Sequence, residues 1–119
     1  MQDTMQIINL EEGLSRIRGN KALYVKMLGM FLDNKEIGLF EKNLAENDLA
    51  QAADIAHAIK GMTGNLSLIS LSAVSSDLID SLRKGVRDQA LIDRYDNILD
   101  ETFKQVRALK QRLESELGI

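Results

Sequence analysis

The sequence predicts an all-α fold, an up-and-down antiparallel four-helix bundle with one or two additional N-terminal helices. Three observations carry this. Apolar residues recur every three to four positions along nearly the whole chain, the period of a helix with one buried face. No stretch alternates apolar and polar residues as a half-buried strand does. The breaks between periodic stretches are short, about two to six residues, which makes consecutive helices antiparallel neighbours.

Residues 1–8 form a polar lead. Asn9 is placed to cap a short helix from Leu10 to about Arg18, with Leu14 and Ile17 facing inward. Gly19-Asn20 reads as a turn followed by a second N-cap. From Lys21 the apolar residues Leu23, Met27, Met30 and Phe31 keep helical spacing. The polar group Asp33-Asn34-Lys35-Glu36 interrupts them, and Ile37, Phe40 and Leu44 resume. Two helices, or one helix bent near Asn34, therefore end around Glu46. Asp48 with Gln51 three residues later resembles a capping box. It opens a helix from Leu49 to about Leu66 or Ser67. Ser67 to Ser72 reads as a short connection. Leu71, Val74, Leu78 and Leu82 make one face of the next helix, which Lys84-Gly85 closes with a basic last turn and a glycine. Asp88 caps a final helix with the stripe Ile92, Tyr95, Leu99, Phe103, Val106, Leu109, Leu113 and Leu117. At 1.5 Å per residue that helix is roughly 40 Å long, and its end is expected to run past the core. The last four helical segments make the core, and the N-terminal segments cover one end.

Length and composition narrow the classes of function. A chain of 119 residues, 45% hydrophobic, fits one domain spanning residues 1–119 with a true core. It has no cysteine and one histidine, so a disulfide is impossible and a zinc site built from protein ligands alone is disfavoured. Residues 1–10 carry neither the basic nor the apolar region of a secretory leader. No apolar run approaches the ~18 residues of a membrane span. The net charge is −3, with lysine and arginine scattered, which leaves no basic footprint for nucleic acid. The expected partner is protein and the expected compartment the cytoplasm. Met1 with the polar lead is what a free-standing chain would show.

The stretch Ala56-His57-Ala58-Ile59-Lys60-Gly61-Met62-Thr63-Gly64-Asn65-Leu66 holds the only histidine. At about 100° per residue, with His57 at zero, Ala50, Ala53, Gly61 and Gly64 fall within roughly 40° of it and Lys60 at about −60°. Ile55, Ile59, Met62 and Leu66 fall on the opposite side. The imidazole is thus expected to stand nearly bare on a face of small residues, with one lysine beside it. A glycine inside a helix costs about 0.8–1 kcal/mol relative to alanine. Two on the histidine face make sense if a large partner must bring a reactive group against the imidazole.

The run Ala56-His57-x-Ile59-Lys60-Gly61-x-x-Gly64-Asn65 resembles the motif of histidine-containing phosphotransfer (HPt) domains, in which His-x-Leu-Lys-Gly is followed by small residues and Asn. The short first helix, the Gly-Asn turn, the apolar helix ending near Phe31-Leu32 and the break at Gly85 suit the same fold, so the resemblance covers a core of about residues 8–112. It implies that His57 is the phosphoacceptor, that Lys60 offsets the charge of the phosphoryl group, and that Ala53, Gly61 and Gly64 give an incoming receiver domain room to dock. It further implies a phosphorelay intermediate fed by a hybrid sensor kinase or a receiver aspartate and emptied onto another receiver. Many members carry glycine two residues after the Asn, where this chain has Ser67, a departure that bears on the backbone at the helix end more than on the chemistry. Ile59 in place of leucine is a small core change.

Elementary chemistry agrees with such a role. A free imidazole has a pKa of about 6.5 and is a nucleophile near neutrality. Phosphoryl transfer depends mostly on positioning and charge stabilisation, and the attacking nitrogen need not lose a proton first. The sequence shows no acidic pocket for Mg²⁺, so no cofactor is expected on this chain and the receiver is expected to supply the metal and the aspartyl phosphate. A phosphohistidine carrier rather than an enzyme follows, and a monomer suffices, since one phosphorylatable helix per bundle needs no dimer.

Plainer readings stand beside these. Asp54, one turn before His57, could hold the imidazole but reads better as a solvated carboxylate. Asn65 reads as serving the helix end, and Met27, Met30 and Met62 as core filler. No role is evident for Gly13, Gly29 or Gly38. A sensor kinase phosphoacceptor helix typically has an acidic residue after the histidine and a proline further on, whereas here Ala58 follows and proline is absent. A non-phosphorylated interaction bundle is the other alternative.

Overall fold

The computed structural model describes residues 6–119. Among them the chain forms six helices: α1 (Leu10–Ser15), α2 (Lys21–Leu32), α3 (Glu36–Ala45), α4 (Leu49–Asn65), α5 (Ile69–Arg83) and α6 (Gln89–Leu117). The expected polar lead lies outside the described residues as far as residue 5. Beyond it Ile7 is buried and the Ser70 hydroxyl donates to the Gln6 carbonyl, so this part of the lead packs onto the start of α5.

Four helices begin where a short polar side chain takes up an orphan N–H. Asn9 accepts from the Glu12 amide, Asn20 from Leu23, Asp48 from Gln51 and Asp88 from Leu91. The break at Asn34 separates two true helices, and its Oδ1 accepts from the Glu36 amide at 2.8 Å. α1 is shorter than its periodicity suggests. Arg18 (φ 57°) and Gly19 (φ 75°) turn the chain out of the helix before Asn20.

Helices α3 to α6 form the bundle. α4 packs against both α3 and α5, and α5 against α6. The Phe40 and Tyr95 rings, 5.0 Å apart between centroids, close the ring between α3 and α6. α2 lies along the second half of α6, with Phe31 stacked on Phe103 at 5.1 Å. One core runs through all of this, from Tyr24 to Leu113. At 29 residues α6 is roughly 43 Å long. Along its stripe Ile92, Tyr95, Leu99, Val106 and Leu113 are buried, Phe103 and Leu109 are half-buried against the core, and Leu117 is exposed.

The connection expected over Ser67–Ser72 is shorter, because α5 already begins at Ile69. Ser67 adopts the left-handed conformation (φ 56°), its N–H returns to the Gly64 carbonyl and that of Leu68 to the Thr63 carbonyl. This pair of bonds closes the helix as a Schellman turn does. The backbone is therefore the one glycine would adopt. A serine is held there by α1: its hydroxyl donates to Glu12 Oε1 (2.8 Å), Arg16 Nε donates to its oxygen (3.4 Å), and its carbonyl accepts from the Asn9 amide. The Tyr24 hydroxyl takes the neighbouring Leu66 carbonyl at 2.7 Å. Gly13 permits this close approach, since a Cβ there would lie 2.9 Å from the Tyr24 ring.

The Glu12 carboxyl is held below its ordinary value of 4.5, first by the Ser67 hydroxyl and then by Arg16. A depressed carboxyl stabilises the fold above 4.5 and loses that contribution as pH falls below it, through Glu12's own lower value. Acid titration followed by amide NMR is therefore expected to release α1 and Ser67 before the α6 amides lose native shifts. In Glu12→Gln that early acid step is expected to be missing.

Candidate functional site

α4 presents His57 to solvent midway along its length. The helix is rotated from the expected setting. Ile59 and Leu66 are buried as anticipated, but Ile55 and Met62 are half-buried, and Ala52, Ala53, Ala56 and Thr63 complete the buried face. The core direction lies about 120° from His57 at 100° per residue, instead of opposite it. Alanine adds little to a hydrophobic stripe but has no side chain beyond Cβ, so α3 and α5 can both press onto this edge of α4. Ala53, expected on the docking face, is fully buried and cannot touch a partner.

The remaining small residues do line the histidine face. Gly61 is exposed and Gly64 half-exposed, and a Cβ built on either meets nothing within 4 Å. Close helix packing therefore does not explain them. Open space alone does not single them out, since Gly38 on α3 has it too; their place beside His57 does.

Two surface features lie along the half of α4 that follows His57. Toward α5 runs a groove lined by Lys60, Thr63, Gly64, Ser72 and Ser76. Lys60 is half-buried there, its Nζ 3.4 Å from Ser76 Oγ. Toward α2 opens a hollow of about 250 Å³ lined by Met27, Met30, Phe31, Met62 and Leu66. Met27 and Met62 are half-buried against the core, the filler role expected of them, whereas Met30 is 64% exposed; the Met62 sulfur accepts from the Asn34 side-chain amide at 3.2 Å. The hollow was hidden in the sequence because Met27, Met30 and Met62 come from two helices whose pairing no local spacing encodes.

Asp54 turns to Arg83 of α5 (3.4 Å) and not to the imidazole, the solvated carboxylate it was read as. Asn65 closes α4 and is exposed. Among the described residues no group of three or more histidine, cysteine or carboxylate side chains could hold a metal ion. The nearest approach to an acidic cluster lies on α6 and α3, around Asp96. Burial, followed by Glu41, Asp93 and Asp100, raises its carboxyl pKa. No helix among the described residues is long and apolar enough to cross a membrane.

Fold and site together define an all-helical bundle that displays one histidine on an open, glycine-flattened helix face. The family model for the Hpt domain matches residues 26–116, most of the chain and all of α4 to its last matched turn in α6. The chain belongs to the Hpt domain family. Its general role is phosphotransfer in two-component signalling, as a phosphocarrier with receiver-domain partners. No curated protein and no solved structure matches it.

Proposed function

We propose that His57 accepts a phosphoryl group from the aspartyl phosphate of one receiver domain and passes it to the aspartate of another, the chain acting as a cytoplasmic monomer. The observation that carries this reading is the exposed imidazole beside Gly61 and Gly64, where, among the described residues, nothing beyond the helix's own adjoining backbone stands within 4 Å of an added Cβ. A receiver can bring its phosphorylated aspartate flat against that face.

In the forward step the lone pair of one ring nitrogen attacks phosphorus. The P–N bond forms as the P–O bond to the aspartate breaks, and the carboxylate leaves with the electron pair. The proton on the other ring nitrogen is then shed to solvent. The second receiver reverses these events. Lys60, one turn from His57 and free of any carboxylate within 4 Å among the described residues, supports the phosphoryl charge. The divalent cation for each transfer belongs to the receiver's acidic pocket.

A pulse and chase tests the relay. The chain is labelled from a phosphorylated receiver, separated from it, and mixed with a second, unphosphorylated receiver. Label is expected to leave the chain and appear on the second receiver's aspartate. Label released only as inorganic phosphate, across a panel of receivers that includes the donor, would overturn the relay role.

A further inference from the structure

Ser76 of α5 has no part in the reading above, yet it is the residue that Lys60 reaches. We propose that Ser76 is a positioning residue for phosphoryl transfer at His57: its hydroxyl accepts from the Lys60 ammonium and parks that cation beside the imidazole without neutralising it. The proposal rests on His57 being the phosphoacceptor.

Three observations carry it. The contact crosses from α4 to α5, with Lys60 Nζ 3.4 Å from Ser76 Oγ, and both residues are half-buried along one groove, which on α4 begins one turn after His57. The other cation lining the groove, Arg16, pairs with Glu12 at 3.2 Å, and Arg83 of α5 pairs with Asp54 at 3.4 Å. Lys60 instead meets a neutral oxygen, so its whole charge remains for a phosphoryl group one helical turn away. A lysine head on a four-carbon stem otherwise samples many rotamers, and a hydroxyl acceptor narrows them at the cost of one weak bond that a dianionic phosphoryl group outcompetes. A carboxylate at the same place would hold the ammonium more tightly and cancel it.

Phosphorylation by phosphoramidate tests this without a docking partner. In that reaction the imidazole nitrogen attacks phosphorus and ammonia leaves with the proton the ring sheds. Ser76→Ala is expected to slow labelling of His57 by roughly three- to tenfold, the worth of one side-chain hydrogen bond, both from phosphoramidate and from a phosphorylated receiver. KM for the receiver is expected to stay unchanged, and Ser76→Thr to restore the native rate. In a Lys60→Ala background the same Ser76→Ala change is expected to have no further effect, as a double-mutant cycle requires of a residue acting through Lys60. Alanine is the better helix former, so the variant folds. A Ser76→Ala rate within twofold of native, or an equal loss with Lys60 removed, overturns the proposal and leaves the His57 reading intact. If the native chain takes no label from either donor, the His57 reading itself fails, and the proposal with it.

Discussion

A His57→Gln chain is expected to take no label from a phosphorylated receiver while keeping the helical content and thermal stability of the native chain. The loss should be complete, because a carboxamide nitrogen has no available lone pair with which to attack phosphorus, and this is the chain's one histidine. The fold should survive, because His57 is exposed and no side chain among the described residues hydrogen-bonds its ring. Surface substitutions of this kind stay within about ±0.5 kcal/mol, and glutamine is the better helix former. Labelling and circular dichroism on the same two samples check both halves. Label on both chains would place the acceptor elsewhere. A partner-dependent function that survives the substitution would favour an interaction bundle in which His57 is incidental.

Gly61 offers the second large effect, with opposite signs for stability and transfer. A Cβ at Gly61 meets nothing within 4 Å, so Gly61→Ala should stabilise the chain by about 0.5–1 kcal/mol, a rise of a few degrees in Tm. Gly61→Gln should fold as well, because the position is exposed and glutamine is a better helix former than glycine. It stands one turn from His57, however, in the path of anything approaching the imidazole. In-line attack needs the reacting atoms about 3–3.5 Å apart, and a displacement of about 1 Å can cost a hundredfold in rate. Transfer from a receiver is therefore expected to fall by roughly 100-fold in Gly61→Gln, while labelling by phosphoramidate, which is small enough to pass the new side chain, stays within twofold. Equal slowing with both donors would show that the glycine serves the imidazole's own setting and not a partner's approach. An unchanged receiver rate would remove Gly61 from the docking face.

Much of this molecule was legible because the determinants are local. Asn9, Asn20, Asp48 and Asp88 each satisfy an N–H three residues on, a relation spacing alone encodes. The long stripe of α6 was equally plain. The start of α5 was not, since Leu68 sits at its N-cap with no side-chain bond and leaves no polar signal. Ser67 concealed a left-handed turn that glycine would have announced, because the bonds that hold it there come from Glu12 and Arg16, more than 50 residues away.

The site divides in the same way. His57, Lys60, Gly61 and Gly64 follow from one helical wheel. Ala53 was misplaced because the wheel was oriented by its large apolar residues, whereas the alanines are what let α3 and α5 close on α4. Ser76 and the methionine hollow depend on how separate helices pair, and no local pattern carries that.

The most direct measurement is the chemical site of the phosphoryl group on the native chain after transfer from a phosphorylated receiver, by ³¹P NMR of the intact protein and mass mapping of its peptides. One acid-labile, alkali-stable phosphoryl group on a ring nitrogen of His57 is the expected result. An acid-stable phosphate on a serine or threonine, or a label on any peptide lacking His57, would contradict the assignment of this chain as a phosphohistidine carrier.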